Sequence, residues 1–150
     1  MDNFIEDLIA TCGINCHLCV SYQFRKNNLN KQGFNRSYCP GCIPRGENCT
    51  HIGGKCEITK NGKARFCFEC NSYPCKILKA LDKRYRTKYR MSMIENLDFI
   101  RKNCLNDFLK KEEKKWKCPE CGGVICCHNG LCLECRIDVL KSNKKYRWNE

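Results

Sequence analysis

Apolar residues recur at helical spacing in one long stretch of this chain and almost nowhere else. Ile77, Leu78, Leu81, Tyr85 and Tyr89 fall on one face at steps of three to four. Pro74 suits the first turn of such a helix, with Asn71 or Ser72 beside it as a cap. Ser92 followed by Glu95 has the form of a capping box, which opens a second helix with Met93, Ile94, Leu97 and Ile100 as its stripe. Asn103 is suited to close it in a left-handed conformation. A third helix is predicted from Leu105, Phe108 and Leu109. Its lysines Lys110, Lys111, Lys114 and Lys115 lie toward the C-terminal end, where cations complement the helix dipole. The three stripes are expected to pack on one another and on the rest of the chain.

The flanks read differently. Before residue 76 the only short period is Phe4-Ile5-x-x-Leu8-Ile9, which predicts an N-terminal helix. Glycines such as Gly33, Gly41 and Gly46, with Pro40 and Pro44, break the remainder into turns with few aliphatic residues between them. Such a stretch cannot bury a core of ordinary size, so another organising force is needed. Beyond residue 117, Val124 and Ile125 fit a short strand, and the stretch from Lys141 to Glu150 reads as a polar, frayed tail.

The composition supplies that force. The chain has 150 residues and 17 cysteines. Most cysteines fall in short pairs: Cys16 with Cys19, Cys39 with Cys42, Cys67 with Cys70, Cys118 with Cys121, and Cys132 with Cys135. A two-residue gap lets a tight turn aim two sulfurs at one point, and two facing turns complete a tetrahedral four-sulfur shell for zinc or an iron–sulfur cluster. A disulfide scaffold is the competing reading of so many cysteines. Met1 to Thr11 carries Asp2, Glu6 and Asp7 with no basic n-region, and no segment reaches the roughly 18 apolar residues of a membrane span. The expectation is therefore a cytoplasmic chain, off the membrane, whose reduced cysteines are metal ligands.

The cysteines also divide the chain. Residues 1–75 hold ten, residues 76–117 only Cys104, and residues 118–150 six. The middle stretch carries fourteen basic and six acidic residues, so much of the formal charge of +12 is concentrated there. Metal-bound cysteines are thiolates, and three four-cysteine zinc sites would lower the net charge to about +6. The predicted fold class is small, metal-stapled, α+β/irregular. A cysteine-rich metal-binding module over 1–75 is followed by a helical middle segment over 76–115. A zinc ribbon over 116–137 and a polar tail over 138–150 complete the chain. The ribbon is the sharpest motif: in Cys118-Pro119-Glu120-Cys121-Gly122-Gly123, proline sets one torsion and glycine permits the positive φ that completes a knuckle.

The cysteine order carries a resemblance. Cys12-Gly13-Ile14-Asn15-Cys16-x2-Cys19, then Cys39-Pro40-Gly41-Cys42, then Cys67-Phe68-Glu69-Cys70-x3-Pro74-Cys75 resembles the family known as domain of unknown function 3795. Further cysteines between these motifs, here Cys49 and Cys56, are similar to that family's pattern, as is the Trp-Lys-Cys-Pro-x-Cys-Gly-Gly ribbon to some of its members. The resemblance implies a small metal-binding module and names no activity. Cys104 and Cys127 look like additions to the pattern.

The ligand candidates are thus Cys12, Cys16, Cys19, Cys39, Cys42, Cys49, Cys56, Cys67, Cys70, Cys75, Cys118, Cys121, Cys132 and Cys135. Cys16, Cys19, Cys39 and Cys42 make a natural two-knuckle set, and Cys67, Cys70 and Cys75 need one of Cys49 or Cys56. About three zinc ions are expected, with a [4Fe–4S] cluster in the N-terminal module as the alternative. The spacing of Cys12, Cys16 and Cys19 also suits the cluster of radical enzymes, but the chain lacks the length and βα alternation of their barrel. His17, between Cys16 and Cys19, reads as an exposed knuckle residue rather than the partner of a redox dithiol. His51, between Cys49 and Cys56, is open to a replacement-ligand role but reads rather as a loop residue. His128 has two roles open to it, as a donor to a metal-bound sulfur or as a turn cap. Cys126 and Cys127 should point to opposite faces. Lys83, Arg84, Arg86, Lys88 and Arg90, interleaved with Tyr85 and Tyr89, form either a nucleic-acid surface or a solvated helix face. The expected function is binding, as a zinc-stapled adaptor for a protein or nucleic-acid partner. An iron–sulfur or thiol-based redox protein is the rival.

Overall fold

The computed structural model describes residues 3–45 and 64–148. Cys49, His51 and Cys56 lie outside the described residues. The architecture is mostly helical, with little strand: α1 (Val20–Lys26), α2 (Cys42–Arg45), α3 (Lys76–Lys88), α4 (Met93–Lys102), α5 (Leu105–Lys115) and α6 (Ile137–Ser142), with 3-10 turns at Glu6–Leu8, Cys16–Leu18, Leu29–Gln32 and Cys67–Glu69. Among the described residues, strand pairing is confined to isolated bridges between Ile9 and Asn15, Lys117 and Val124, and Ile125 and Cys132. The Phe4–Ile9 stretch forms one 3-10 turn rather than the expected helix, because a single turn's worth of apolar residues does not offset the cost of helix nucleation.

The three middle helices form where the apolar period places them, but their ends differ from expectation. Helix α3 starts at Lys76 with Cys75 as its N-cap, so Pro74 precedes the helix and neither Asn71 nor Ser72 caps it. The reason lies in Tyr73, whose hydroxyl donates to Asp98 Oδ1 at 2.9 Å and ties the chain to α4 before α3 begins. At the head of α4 the Ser92 hydroxyl oxygen accepts from the Glu95 N–H at 3.1 Å, as expected. The Ser92 hydroxyl also donates to Asp82 Oδ1 at 2.6 Å, and the same oxygen accepts from the Ile94 N–H at 3.1 Å. Asp82 of α3 is thereby a second cap for α4. Ser92→Ala should lower the unfolding free energy by about 1 kcal/mol, read as an earlier urea midpoint with an unchanged slope. Asn103 does not turn left-handed: its φ is −111°, and its side-chain amide bonds the Phe99 carbonyl at 3.1 Å instead. Cys104 caps α5, its Sγ accepting from the Asp107 N–H at 3.3 Å.

Two cores result. The larger unites the helical stripe (Leu78, Tyr85, Met93, Leu97, Ile100, Phe108 and Leu109) with Phe4, Leu8, Ile9 and Leu18 of the N-terminal module. The smaller joins Val20, Phe24 and Leu29 of that module to Cys126, Leu131, Leu133 and Leu140 near the chain's end. Cys126 and Cys127 do diverge, one into each core. The expected frayed tail is instead held down. Leu140 of α6 is buried, and Trp148 packs edge-on against Trp116 while its indole N–H donates to the Cys127 carbonyl at 2.6 Å. An apolar residue every few positions was present in this polar stretch, but its binding surface exists only once the ribbon has folded.

Candidate metal centre

Helix α5 ends at Trp116, and the ribbon begins at once. Gly122 takes φ +78°, closing the first knuckle with its N–H on the Cys118 carbonyl at 2.9 Å, and the Cys118 N–H donates to Gly123 O at 2.7 Å. The second knuckle closes through the Arg136 N–H on Cys132 O at 2.8 Å. Two bonds across the hairpin set their separation, Ile125 N–H to Trp116 O and Cys126 N–H to Leu131 O, both 2.8 Å.

These turns bring the sulfurs of Cys118, Cys121, Cys132 and Cys135 within 4.8 Å of one another. The Cys118–Cys135 and Cys121–Cys132 sulfur pairs are 3.7 and 3.4 Å apart. Disulfide sulfurs would be about 2.05 Å apart, whereas a tetrahedron with Zn–S bonds of about 2.3 Å has edges of about 3.8 Å. The four residues therefore suit a tetrahedral ion and do not form disulfides. The backbone adds to this. Gly123 N–H donates to Cys121 Sγ at 3.4 Å. Burial opposes ionisation of Cys118, but the backbone N–H groups of Cys121 and Glu120 outweigh it and draw the thiol down to about 7. Desolvation and the hydrogen bonds from Cys121 and Cys118 push Cys135 up. Four crowded thiols cannot all ionise unaided, and a divalent cation is what allows them to do so.

The N-terminal cysteines are arranged more loosely. Cys16 sits in a 3-10 turn and its Sγ accepts from the Cys42 N–H at 3.3 Å, so the first two knuckles face each other through one backbone-to-sulfur bond. Cys39 is held by its N–H on Ser21 O at 3.3 Å, and Arg45 Nη1 reaches its sulfur at 3.9 Å. Cys67 donates its N–H to Thr11 O at 2.9 Å, Cys70 accepts at sulfur from Ser72 N–H at 3.4 Å, and Cys75 takes the N-cap position of α3 without a side-chain capping bond. Cys12 is buried in the larger core. Among the described residues, the ribbon is the group of three or more such side chains gathered tightly enough to hold an ion. No described cysteine is in a disulfide.

The histidines take roles that spacing did not reveal. His17 is buried, not exposed. Its Nδ1 lies 2.7 Å from Asn15 Oδ1, its Nε2 accepts from the Ile5 N–H at 2.9 Å, and its ring stacks on Phe4 at 4.0 Å. That network requires the neutral ring protonated at Nδ1. Burial, helped by the Lys26 charge, draws its pKa down to about 3. His128 reaches beyond its own turn, where its Nδ1 also lies 3.7 Å from Cys127 Sγ. Its Nδ1 accepts from the Val20 N–H at 3.2 Å and its Nε2 lies 3.3 Å from the Tyr85 hydroxyl, while the neighbouring Cys127 N–H donates to Leu18 O at 2.9 Å. The ribbon hairpin is thus sewn to the Cys16–Cys19 knuckle. Burial pushes the Cys126 thiol up to about 12 and raises Cys127 as well, which fits packing rather than ligation.

Glu112 of α5 is buried beside Asn15, whose Nδ2 donates to it at 3.3 Å. Burial raises its pKa above the ordinary 4.5, against the opposing pull of Asn15 and Lys115. A carboxyl with a raised folded pKa stabilises the protonated native form, and that stability is lost as pH rises through the folded value. Glu112→Gln should therefore be more stable than the parent at neutral pH. The gain should shrink to nothing as pH falls to about 4.5. Denaturant midpoints of both proteins across pH check this, and a gain that grows toward acid pH contradicts it.

The fold and this site define a small, mostly helical, cysteine-rich protein with a four-cysteine group able to hold a metal ion. Residues 8–80 match the model of the family described as Protein of unknown function (DUF3795), which shows over that span the resemblance read from the cysteine motifs. The ribbon lies beyond the matched span. No curated protein and no solved structure matches the chain. No helix among the described residues is long and apolar enough to cross a membrane.

Proposed function

We propose that this protein is a zinc-binding adaptor whose four-cysteine sites are structural and hold a surface in place for a macromolecular partner. The observation that carries the reading is the convergence of the Cys118, Cys121, Cys132 and Cys135 sulfurs within 4.8 Å. An all-cysteine shell leaves no coordination position for substrate, which is the form of a structural zinc site. Cys16, Cys19, Cys39 and Cys42 form a second site on this reading. Cys67, Cys70 and Cys75 form a third with Cys49 or Cys56, and Cys12 has no place in either set. Zinc binding would draw the two N-terminal knuckles together from the arrangement in which Cys42 already touches Cys16.

The surface on offer is the outer face of α3. Lys83, Arg84 and Lys88 are exposed, Arg86 pairs with Asp82 at 3.3 Å, and Arg90 lies over the Trp148 ring at 4.3 Å. Tyr85 is buried and cannot stack on a base, while Tyr89 is half-buried. A nucleic-acid partner would be held by phosphate contacts, so retention of RNA or DNA should fall steeply with salt. Absence of retention at low salt assigns the partner to proteins.

The test is elemental analysis with a visible spectrum, on protein purified without oxygen or added metal. About three zinc ions per chain and no colour are expected. Brown protein containing iron and acid-labile sulfide overturns zinc and makes the N-terminal module an iron–sulfur site.

A further inference from the structure

A cavity of about 230 Å³ opens where the N-terminal module, α3, the ribbon hairpin and the end of the chain meet. Its wall holds Arg36, Arg84, Lys144 and Arg147 beside the rings of Tyr89 and His128 and the sulfur of Cys19. No carboxylate lines it among the described residues, so the cations outnumber the one group there that can carry negative charge. The four cations come from three separate parts of the sequence, so no single charge run explains them. Three are positioned by contacts with uncharged groups. Arg36 lies over the Phe24 ring at 5.4 Å, Lys144 Nζ donates to Gly33 O at 3.1 Å, and Arg147 Nη1 donates to Tyr146 O at 3.0 Å. Tyr89 and His128 form a packed aromatic wall, their centroids 4.6 Å apart.

Like charges around one concavity repel each other and focus a positive field into it. One carboxylate ligand would offset one of the four charges. A phosphate monoester carries about −1.5 to −2 and three strong acceptor oxygens, which guanidinium forks engage in bidentate fashion. The volume admits a phosphoryl group with part of what it is attached to, and excludes a duplex. We propose that this cavity binds the phosphoryl group of a small phosphorylated ligand, either a free nucleotide or the phosphorylated end of a single strand. The site goes beyond the structural zinc reading, although His128 is placed there by the folded ribbon.

The experiment is calorimetric titration of the full-length, metal-loaded protein with pyrophosphate, adenosine 5′-monophosphate and adenosine. Metal content is measured on the same samples. Saturable binding of the two phosphorylated probes and none of adenosine is expected. Arg84→Gln and Arg147→Gln should each weaken binding about tenfold, since each removes a charge-assisted bidentate contact. Both positions are exposed, so these variants keep their zinc. Lys110→Gln, on α5 outside the cavity, should change nothing. A 5′-phosphorylated oligonucleotide that binds more tightly than the mononucleotide assigns the strand end, and one that binds no better assigns the free nucleotide. No saturable binding of either phosphorylated probe by zinc-replete protein overturns the site and leaves the zinc reading standing. Equal weakening by Lys110→Gln also overturns it, because the attraction is then diffuse.

Discussion

Cys132→Ser should lose one metal ion per chain and, with it, the fold of the ribbon and the seam that joins it to the N-terminal module. Cys132 is 1% exposed and its sulfur lies 3.4 Å from that of Cys121, so solvent cannot replace the lost sulfur as a ligand without opening the hairpin. Structural zinc sites contribute about 10–16 kcal/mol of apparent binding free energy at neutral pH. That matches or exceeds the whole stability of an ordinary domain, about 5–15 kcal/mol. The damage should therefore travel. Cys127 N–H on Leu18 O and Trp148 Nε1 on Cys127 O both hang on the hairpin, and their protection from hydrogen exchange should fall together. Cys104→Ser is the control, because Cys104 is exposed and its sulfur caps α5. It should keep its full metal content and melt close to the parent. Unchanged metal content in Cys132→Ser would show that the four sulfurs are not a ligand set.

Gly13→Ala should strongly destabilise the N-terminal module. Gly13 adopts φ +91°, and a Cβ there would sit 2.7 Å from the Met93 carbonyl oxygen and 2.9 Å from Leu97 Cγ. The left-handed backbone costs roughly 1–2 kcal/mol for a residue with a side chain. Forcing a methyl into a packed core costs roughly 1–3 kcal/mol more. The loss should then be about 2–5 kcal/mol, and the bond from Asn96 Nδ2 to Gly13 O at 2.9 Å should be broken with it. Gly33→Ala separates the two causes. Gly33 has φ +96° but meets nothing within 4 Å, so it should cost only the conformational part, about 1–2 kcal/mol. Urea midpoints of both variants at matched metal content decide the matter. Equal losses would mean that the contact of the module with α4 contributes nothing.

The parts of the fold legible in the sequence were those whose cause is local. The α3–α5 stripes follow from the spacing of Leu78, Leu81, Tyr85, Leu97, Ile100, Phe108 and Leu109, because helical period and burial are one requirement. The ribbon was legible because Pro119, Gly122 and the two-residue gaps specify turn geometry within six residues, and the four sulfurs of those two knuckles do converge. The helix ends were less legible. Tyr73, Asp82 and Cys104 compete for them through hydrogen bonds, and two of the three reach across to another helix.

Polar residues in the interior were hardest to foresee. His17 reads as an exposed spacer between two ligands, yet the fold surrounds it with Asn15, Phe4 and the Ile5 N–H. Nothing within ten residues of His128 shows that it will accept from Val20, 108 positions away. The tail was misread for the same reason: Trp148 has no partner until Trp116 and Cys127 have been brought together.

The sequence by itself determined the cysteine knuckles, the helical stripes and the family motifs of the first half, since each is a pattern of neighbours along the chain. Only the tertiary structure decided which sulfurs meet and which histidine is buried. It also decided that four cations from three distant stretches face one cavity. Those outcomes depend on chain segments brought together by two cores, and contact between segments 100 residues apart leaves no local signature.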